Sequence, residues 1–518
     1  MSRQSYLLGS EALTIDIIQH ILSSPTEVNL DEAAWKRVEN SRQHVEVLVN
    51  GAELVYGINT GFGPLCTTRI SPDESRQLQE NLLRSHSVGV GEAIPAHLSK
   101  LMLLLKIQAL AQGFSGVSAP VIERLLWHLN QDMIPVVPSQ GSVGASGDLA
   151  PLSHLFLPLI GEGYVWQRNH PVPARDILAK YQMPPINLGP KDSLGLINGT
   201  QFMAAFGMEI AVRLHRCLAQ ADLIAAMMID GLKGSLSPFD ARLHRLRPHQ
   251  GSSYVAHKIH AWLHNSAILH SHVHCDRVQD PYSLRCVPQV HGASWNAWRH
   301  LKEAIQTEIN AVTDNPIILD GQTAISGGNF HGQLIALPLD YAGLAAAELG
   351  NISDRRIYLS MDGKLEGLPK LLMTNTGLNS GFMILQYTSA ALVSENKSLC
   401  FPASADSIPT SLGQEDHVSM GSISARKTLR IIENLEHILA IEWICAAQAL
   451  EFRRPLVSTL VIEAVFERLR LEVSFAEQDR IFAEDIAKAV RLFRQGVILD
   501  IIQSFHQNSP YDEIFGLS

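Results

Sequence analysis

Apolar residues recur at helical spacing through most of the second half of the chain. Along Ile423 to Leu450, Leu429, Ile432, Leu435, Leu439 and Trp443 repeat at that spacing, while Arg426, Arg430 and Glu433 fall on other faces. This is the pattern of a helix with an apolar stripe turned toward a core. Gln201 to Ile229, Trp295 to Val312, Leu334 to Ile352 and Phe382 to Asn396 read the same way, with Ala, Met and Leu abundant. Shorter helices are predicted near Leu101 to Gln112 and Val121 to Gln131, and residues 11 to 50 predict two more with charged faces. Strand-like runs are few and short, such as Pro316-Ile317-Ile318-Leu319.

Long helices that are apolar around much of their circumference suit a large bundle that buries them on several sides. No internal repeat, low-complexity tract or linker interrupts the pattern. A length of 518 residues would suggest about three domains. One all-α unit spanning residues 1–518 is the better expectation. It has a loop-rich part to about residue 110, a long-helix bundle from about residue 111, and small irregular or short-strand regions between helices.

Composition adds limits. Hydrophobic residues make up 46% and charged residues 18%, a low charged share for so long a chain. Such a share suits a surface partly buried against other subunits. A net charge of −10 offers no basic field, so nucleic acid is not an expected partner. The six cysteines are scattered with no C-x-x-C, which fits a reducing compartment rather than a disulfide framework. The start Met1-Ser2-Arg3-Gln4-Ser5 lacks a signal peptide's apolar core, and no run reaches membrane-spanning length. A soluble, cytoplasmic protein with no membrane partner is expected.

The candidate chemistry centres on Gln140 to His154, which holds three glycines and three serines in fifteen residues. Its flanks, Met133-Ile134-Pro135-Val136-Val137-Pro138 and Leu155-Phe156-Leu157-Pro158-Leu159-Ile160, are apolar. Flexible linkers are flanked by polar sequence, so this is a glycine-rich backbone held inside a core. A phosphate loop would need Gly-Lys-Ser/Thr, yet Asp148 stands where a cation is wanted. The Gly141, Gly144, Gly147 spacing is not the dinucleotide fingerprint, and Ser146 has Asp148 where a nucleophile elbow needs glycine. A plain tight turn remains one reading.

The other reading lies in Ala145-Ser146-Gly147. If the loop bends so that the Gly147 nitrogen reaches the Ala145 carbonyl carbon, cyclisation with loss of two waters gives a five-membered ring. The serine side chain becomes an exocyclic methylidene, and the 4-methylidene-imidazol-5-one so formed is an electrophile made from the chain's own backbone. Gly-Ser-Val-Gly-Ala-Ser-Gly-Asp-Leu-Ala-Pro-Leu-Ser-His, from Gly141 to His154, closely resembles the signature of the aromatic amino acid lyases. That family comprises histidine, phenylalanine and tyrosine ammonia-lyases and the related 2,3-aminomutases.

Six further loops carry polar residues in the family's order. Tyr56-Gly57-Ile58-Asn59-Thr60-Gly61-Phe62-Gly63 reads alone as a glycine turn anchored by aromatics; the resemblance makes Tyr56 the base that removes a β-proton, on a mobile lid. In Arg84-Ser85-His86-Ser87, His86 by resemblance bears on the substrate ring. A helix starting at Asn198-Gly199-Thr200 would turn free amides toward a site, and the resemblance has Asn198 hold the electrophile and the substrate. In Gln279-Asp280-Pro281-Tyr282-Ser283-Leu284-Arg285, the rigid fork of Arg285 suits a carboxylate. The resemblance places the substrate carboxylate on Arg285, with Tyr282 and Gln279 beside the electrophile. Phe330 of Gly328-Asn329-Phe330-His331 would pack beside it as well.

The sixth loop, Gln414-Glu415-Asp416-His417, bears on substrate choice. A carboxylate such as Glu415 can accept from an imidazole N–H, whereas a phenyl ring offers it nothing. The resemblance is closest to the histidine-specific members here, and it assigns Gln414 to substrate binding. His270-x-His272-x-His274-Cys275 invites a zinc reading, since alternation on a strand would put the histidines on one face. The self-made electrophile needs no metal, and none is expected.

The resemblance therefore implies a homotetramer with active sites shared between subunits. The implied reaction removes ammonia from a small aromatic amino acid, L-histidine, to give trans-urocanate. Arg-Ser-His-Ser at residues 84–87 leaves a tyrosine or phenylalanine lyase open, and a 2,3-aminomutase would use the same loops. A different class, an inactive helical scaffold, would leave Ala145-Ser146-Gly147 uncyclised.

Overall fold

The computed structural model describes residues 4–51, 53–61, 70–273, 277–320, 323–505 and 509–517. Phe62, Gly63, Cys66, His274 and Cys275 lie outside the described residues.

The long helices are where the apolar period places them, within a few residues at most ends. They span Gln201–Gly231, Val287–Glu308, Gln333–Met361, Met383–Leu399 and Gly421–Glu451. At 1.5 Å per residue the longest run to about 46 Å. The Gln201–Gly231 helix is central. Only Glu209, Arg213, His215 and Arg216 escape burial along it. The Val287–Glu308, Gln333–Met361 and Gly421–Glu451 helices all pack on it. One continuous cluster of buried apolar side chains reaches from Leu8 to Phe515.

Apolar contact alone lets helices slide, and buried charges oppose that because each must meet its partner. Asp222 of the central helix accepts from His291 Nδ1 at 2.8 Å, Lys258 Nζ at 2.8 Å and Trp295 Nε1 at 3.0 Å. His291 Nε2 meets Arg356 at 3.4 Å, and Arg356 forks onto Glu442, with Nη2 to Oε2 at 2.9 Å. Burial pushes His291 downward, so the ring stays neutral and its second nitrogen is free to accept. The chain of contacts crosses five helices and ties their register together.

The part before residue 110 is less loop-rich than the sequence predicts. The helices Glu32–Asn50, Pro72–His86 and Ala96–Ala111 fill much of it, and Gln4–Leu8 pairs in parallel with Thr26–Leu30. Polar Pro72–His86 carries few apolar positions to reveal its period. Gln250–Leu263 is another helix that the apolar pattern did not announce. The described strands form only two-stranded ladders, and Ile317–Asp320 with Thr323–Ile325 is the predicted strand run.

The histidine alternation after residue 269 is not a strand. His270 ends the short helix Ala267–His270 and His272 sits in the following turn, because Ser266 caps this segment as a helix through the amides of Ile268 and Leu269.

Candidate active site

The glycine-rich loop hangs between a strand and a helix. Its entry, Pro138–Gln140, pairs with Val90–Ala93, and its exit is the helix Leu149–Phe156. The strand Val90–Ala93 follows closely on His86, and His154 Nε2 accepts from the Gly89 amide at 3.0 Å. Both ends of the loop are thereby tied to the His86 segment.

Inside the loop Ser146 has φ +50° and Gly147 φ +82°. Two successive left-handed residues bend the tripeptide tightly, and a serine held there stores strain of about 1 kcal/mol or more. Gly147 has no alternative: a Cβ on it would lie 2.1 Å from the Gly199 carbonyl oxygen. This close approach lets the two segments pair. The Ser146 carbonyl accepts from the Gly199 amide at 3.3 Å, and the Asp148 amide donates to the Gly199 carbonyl at 2.7 Å. Ala145 packs against Val143, Val418 and Met420. A small carbonyl residue, a strained serine and an unsubstituted glycine amide are thus held in one bend, so these residues fit the self-made ring.

Asp148 supports the bend from below. Its carboxylate accepts from the Met203 amide at 3.0 Å and from Ser142 Oγ at 3.3 Å, satisfying a free N–H in the first turn of the central helix. Burial pushes its carboxyl up to about 7 against those hydrogen bonds. Asn198 is buried between the Asp192–Ile197 helix and the central one, and its Nδ2 donates to the Leu194 carbonyl at 3.3 Å. Its own carbonyl accepts from Lys106 Nζ at 2.5 Å.

Glu415 reaches the loop directly. Its Oε1 accepts from Ser146 Oγ at 3.2 Å, while Thr410 Oγ1 and Ser411 Oγ hold Oε2 at 2.9 Å each. His86 is close enough to feel the Glu415 charge. Burial pushes the His86 ring downward, and the Leu82 carbonyl and Glu415 oppose that. Gln414 is exposed beside Glu415. Phe330 is half-buried in the loop before the Gln333–Met361 helix. That loop leans on the Glu415 segment, with His331 Nε2 3.3 Å from the His417 carbonyl and the two rings stacked.

Tyr56 is half-buried against the main core. The Asn59 side chain, bonded to the Val55 amide and the Glu53 carbonyl, shapes its turn. Gln279, Tyr282 and Arg285 stand apart. Gln279 and Arg285 line a cavity of about 760 Å³ with His270 and His272, and Tyr282 is 71% exposed. No hydrogen bond, ion pair or ring contact among the described residues joins these three to Ser146. The Arg285 guanidinium lies 4.6 Å from the Tyr282 ring centroid, and its buried Nε has no hydrogen-bond partner. No group of three metal-ligating side chains converges among the described residues.

One chain therefore brings together Ala145, Ser146, Gly147, Asn198, His86 and Glu415, but not Gln279, Tyr282 and Arg285. Sequence reasoning placed Gly199 in a loop that turns amides toward the site, but missed Lys106 and the Thr410–Ser411 pair that orients Glu415. For Lys106 a signal existed, a single cation in the apolar run Leu101 to Ile107.

A mainly helical bundle whose strained Ala-Ser-Gly bend faces a carboxylate and an imidazole has the architecture of a carbon–nitrogen lyase. The family model described as "Aromatic amino acid lyase" matches residues 13–471. The histidine ammonia-lyase of Halalkalibacterium halodurans is 45% identical over 491 residues, covering 95% of this chain and 96% of that one. That of Bacillus subtilis is 45% identical over 502 residues, covering 96% and 97%. Among solved structures, histidine ammonia-lyase from Trypanosoma cruzi superposes with a TM-score of 0.90 at 38% identity, covering 99% of this chain and 97% of that one. Tyrosine aminomutase from Streptomyces globisporus gives 0.91 at 33% identity, covering 98% and 100%. The chain belongs to the aromatic amino acid lyase family and is an enzyme, a carbon–nitrogen lyase.

Proposed function

We propose that the protein eliminates ammonia from L-histidine to give trans-urocanate, using an electrophile formed from Ala145-Ser146-Gly147. The observation that carries the substrate is Glu415. Two hydroxyls fix one of its oxygens, and the other looks across to Ser146, where an imidazole N–H can meet it. Similarity to histidine ammonia-lyases, about 45% identical over nearly the whole chain, supports the same substrate.

The 4-methylidene-imidazol-5-one supplies an electrophilic carbon that draws electron density from the bound amino acid. The chain's own residues do the rest. Arg285 pairs with the carboxylate, since its buried Nε lacks a partner of its own. Tyr56 takes the β-proton, and Asn198, Gln414 and Phe330 line the substrate. His86 and Glu415 bracket the imidazole. Gln279 and Tyr282 stand beside the electrophile.

Gln279, Tyr282 and Arg285 are proposed to reach the loop of another copy in a homotetramer with shared sites. Two features support this: among the described residues no contact joins them to Ser146, and an apolar row lies on the helix surface. Leu334, Leu337, Tyr341 and Leu344 of one long helix are all exposed in the single chain, as are Ile384 and Tyr387 of the next. Residues 1–518 are taken as one catalytic unit acting in the cytoplasm; no described helix is long and apolar enough to cross a membrane.

The test is separate incubation with L-His, L-Tyr and L-Phe, following the ultraviolet absorbance of the unsaturated acids. Turnover of histidine alone is expected. Turnover of tyrosine without histidine overturns the substrate.

A further inference from the structure

Lys106 occupies an unusual place for a cation. It lies in the middle of the Ala96–Ala111 helix, is 2% exposed, and forms no ion pair among the described residues. The neighbouring carboxylate of Asp314 is already held by Lys191 at 2.6 Å. A buried ammonium without a bonded counter-ion is costly, and burial pushes Lys106 down to about 7. Its Nζ instead donates to two carbonyls at the end of the Asp192–Ile197 helix, Gly195 at 3.2 Å and Asn198 at 2.5 Å. Helix carbonyls there lack intrahelical donors, and the helix dipole favours a cation.

The Asn198 carbonyl shares a peptide group with the Gly199 amide, and that amide donates to the Ser146 carbonyl at 3.3 Å. Hydrogen bonds on the two sides of one peptide polarise each other. In the ring, the Ser146 carbonyl is conjugated with the methylidene made from the Ser146 side chain. A stronger donor on that oxygen therefore makes the methylidene carbon more electron-poor.

We infer that Lys106 is a positioning residue that holds and polarises the Asn198–Gly199 peptide against the Ser146 carbonyl and so raises the electrophilicity of the ring formed there. This rests on the ring proposed above.

The test compares full-length wild type with Lys106→Met and Lys106→Arg by three readouts. These are the mass of the proteolytic loop peptide, the near-ultraviolet band of the folded protein, and the second-order rate at which cyanide, a small nucleophile, adds to the loop. All three chains are expected to yield a peptide lighter by two waters. The methionine variant should show a band moved to shorter wavelength and cyanide addition roughly tenfold slower, the scale of one charge-assisted hydrogen bond. Arginine should restore both. If the methionine chain does not fold, Lys106→Gln, which keeps a donor without the charge, replaces it with the same expectation. A cyclised methionine variant with the wild-type band and rate overturns the role of Lys106 alone. A wild-type peptide at full mass overturns the ring itself, and with it this role.

Discussion

The Ser146 hydroxyl donates to Glu415 across 269 positions of sequence, at 3.2 Å. The residue proposed to supply the electrophile and the residue proposed to select the substrate are therefore in contact before any substrate arrives. Forming the ring removes that hydroxyl, which leaves Glu415 Oε1 available to a new donor. The imidazole N–H of histidine is such a donor.

Ser146→Ala removes the leaving hydroxyl but keeps the backbone pairing with Gly199, which uses no side chain. The loop peptide is expected at full mass, without the loss of two waters. Turnover should fall by at least about 10³-fold, as when a covalent catalytic group is removed, with little change in melting temperature. Peptide mass spectrometry and the ultraviolet assay check it. Near wild-type rates would defeat the electrophile.

Glu415→Gln keeps the side-chain shape and removes the charge. A hydrogen bond to a charged group is worth about 1.5–3 kcal/mol, so kcat/KM for histidine should drop about 10- to 100-fold. Any residual activity on tyrosine or phenylalanine should fall less. An unchanged rate on histidine removes the main reason for choosing that substrate.

Asp148 makes a pH-dependent prediction. Burial raises its folded pKa to about 7, above the unfolded value near 3.9. The folded state therefore binds more protons than the unfolded state between about pH 4 and pH 7. Its contribution to stability is present below pH 4 and declines as pH rises toward 7. Asp148→Asn removes this titration, so its melting temperature should fall less than that of wild type over that window. Parallel slopes for the two proteins would show that Asp148 does not titrate there.

Glu442→Gln should break the buried fork with Arg356 and leave a guanidinium without its charge partner. Removing one member of a buried pair costs about 3–5 kcal/mol. The unfolding free energy from urea denaturation is expected to fall by that amount, with a correspondingly lower midpoint, while the loop peptide keeps its mass. A midpoint within error of wild type would mean the network sets register without stabilising the fold.

The bundle was readable in advance because a helix buried on one or more sides repeats its apolar residues every three to four positions, as Leu435, Leu439 and Trp443 do. Pro72–His86 escaped that reading because its polar faces give no such repeat, and only its packed neighbours show what it buries. The histidines at 270 and 272 misled in the opposite way. Their alternation suggests a strand, but the Ser266 cap makes the segment helical.

The chemistry divides in the same manner. The Gly141 to His154 motif pointed to Ala145-Ser146-Gly147 as the candidate tripeptide because the proposed cyclisation uses three consecutive residues, a purely local requirement. The left-handed turn at Ser146, the Glu415 contact and the Lys106 support came only from the tertiary structure. Each depends on segments far apart in the chain, brought together by the packing around the Gln201–Gly231 helix. The resemblance made Gln279, Tyr282 and Arg285 candidate site residues, yet within one folded chain no described contact joins them to Ser146. Sequence motifs point to candidate site residues. The distances among them are set by long-range packing, which no local pattern of residues encodes.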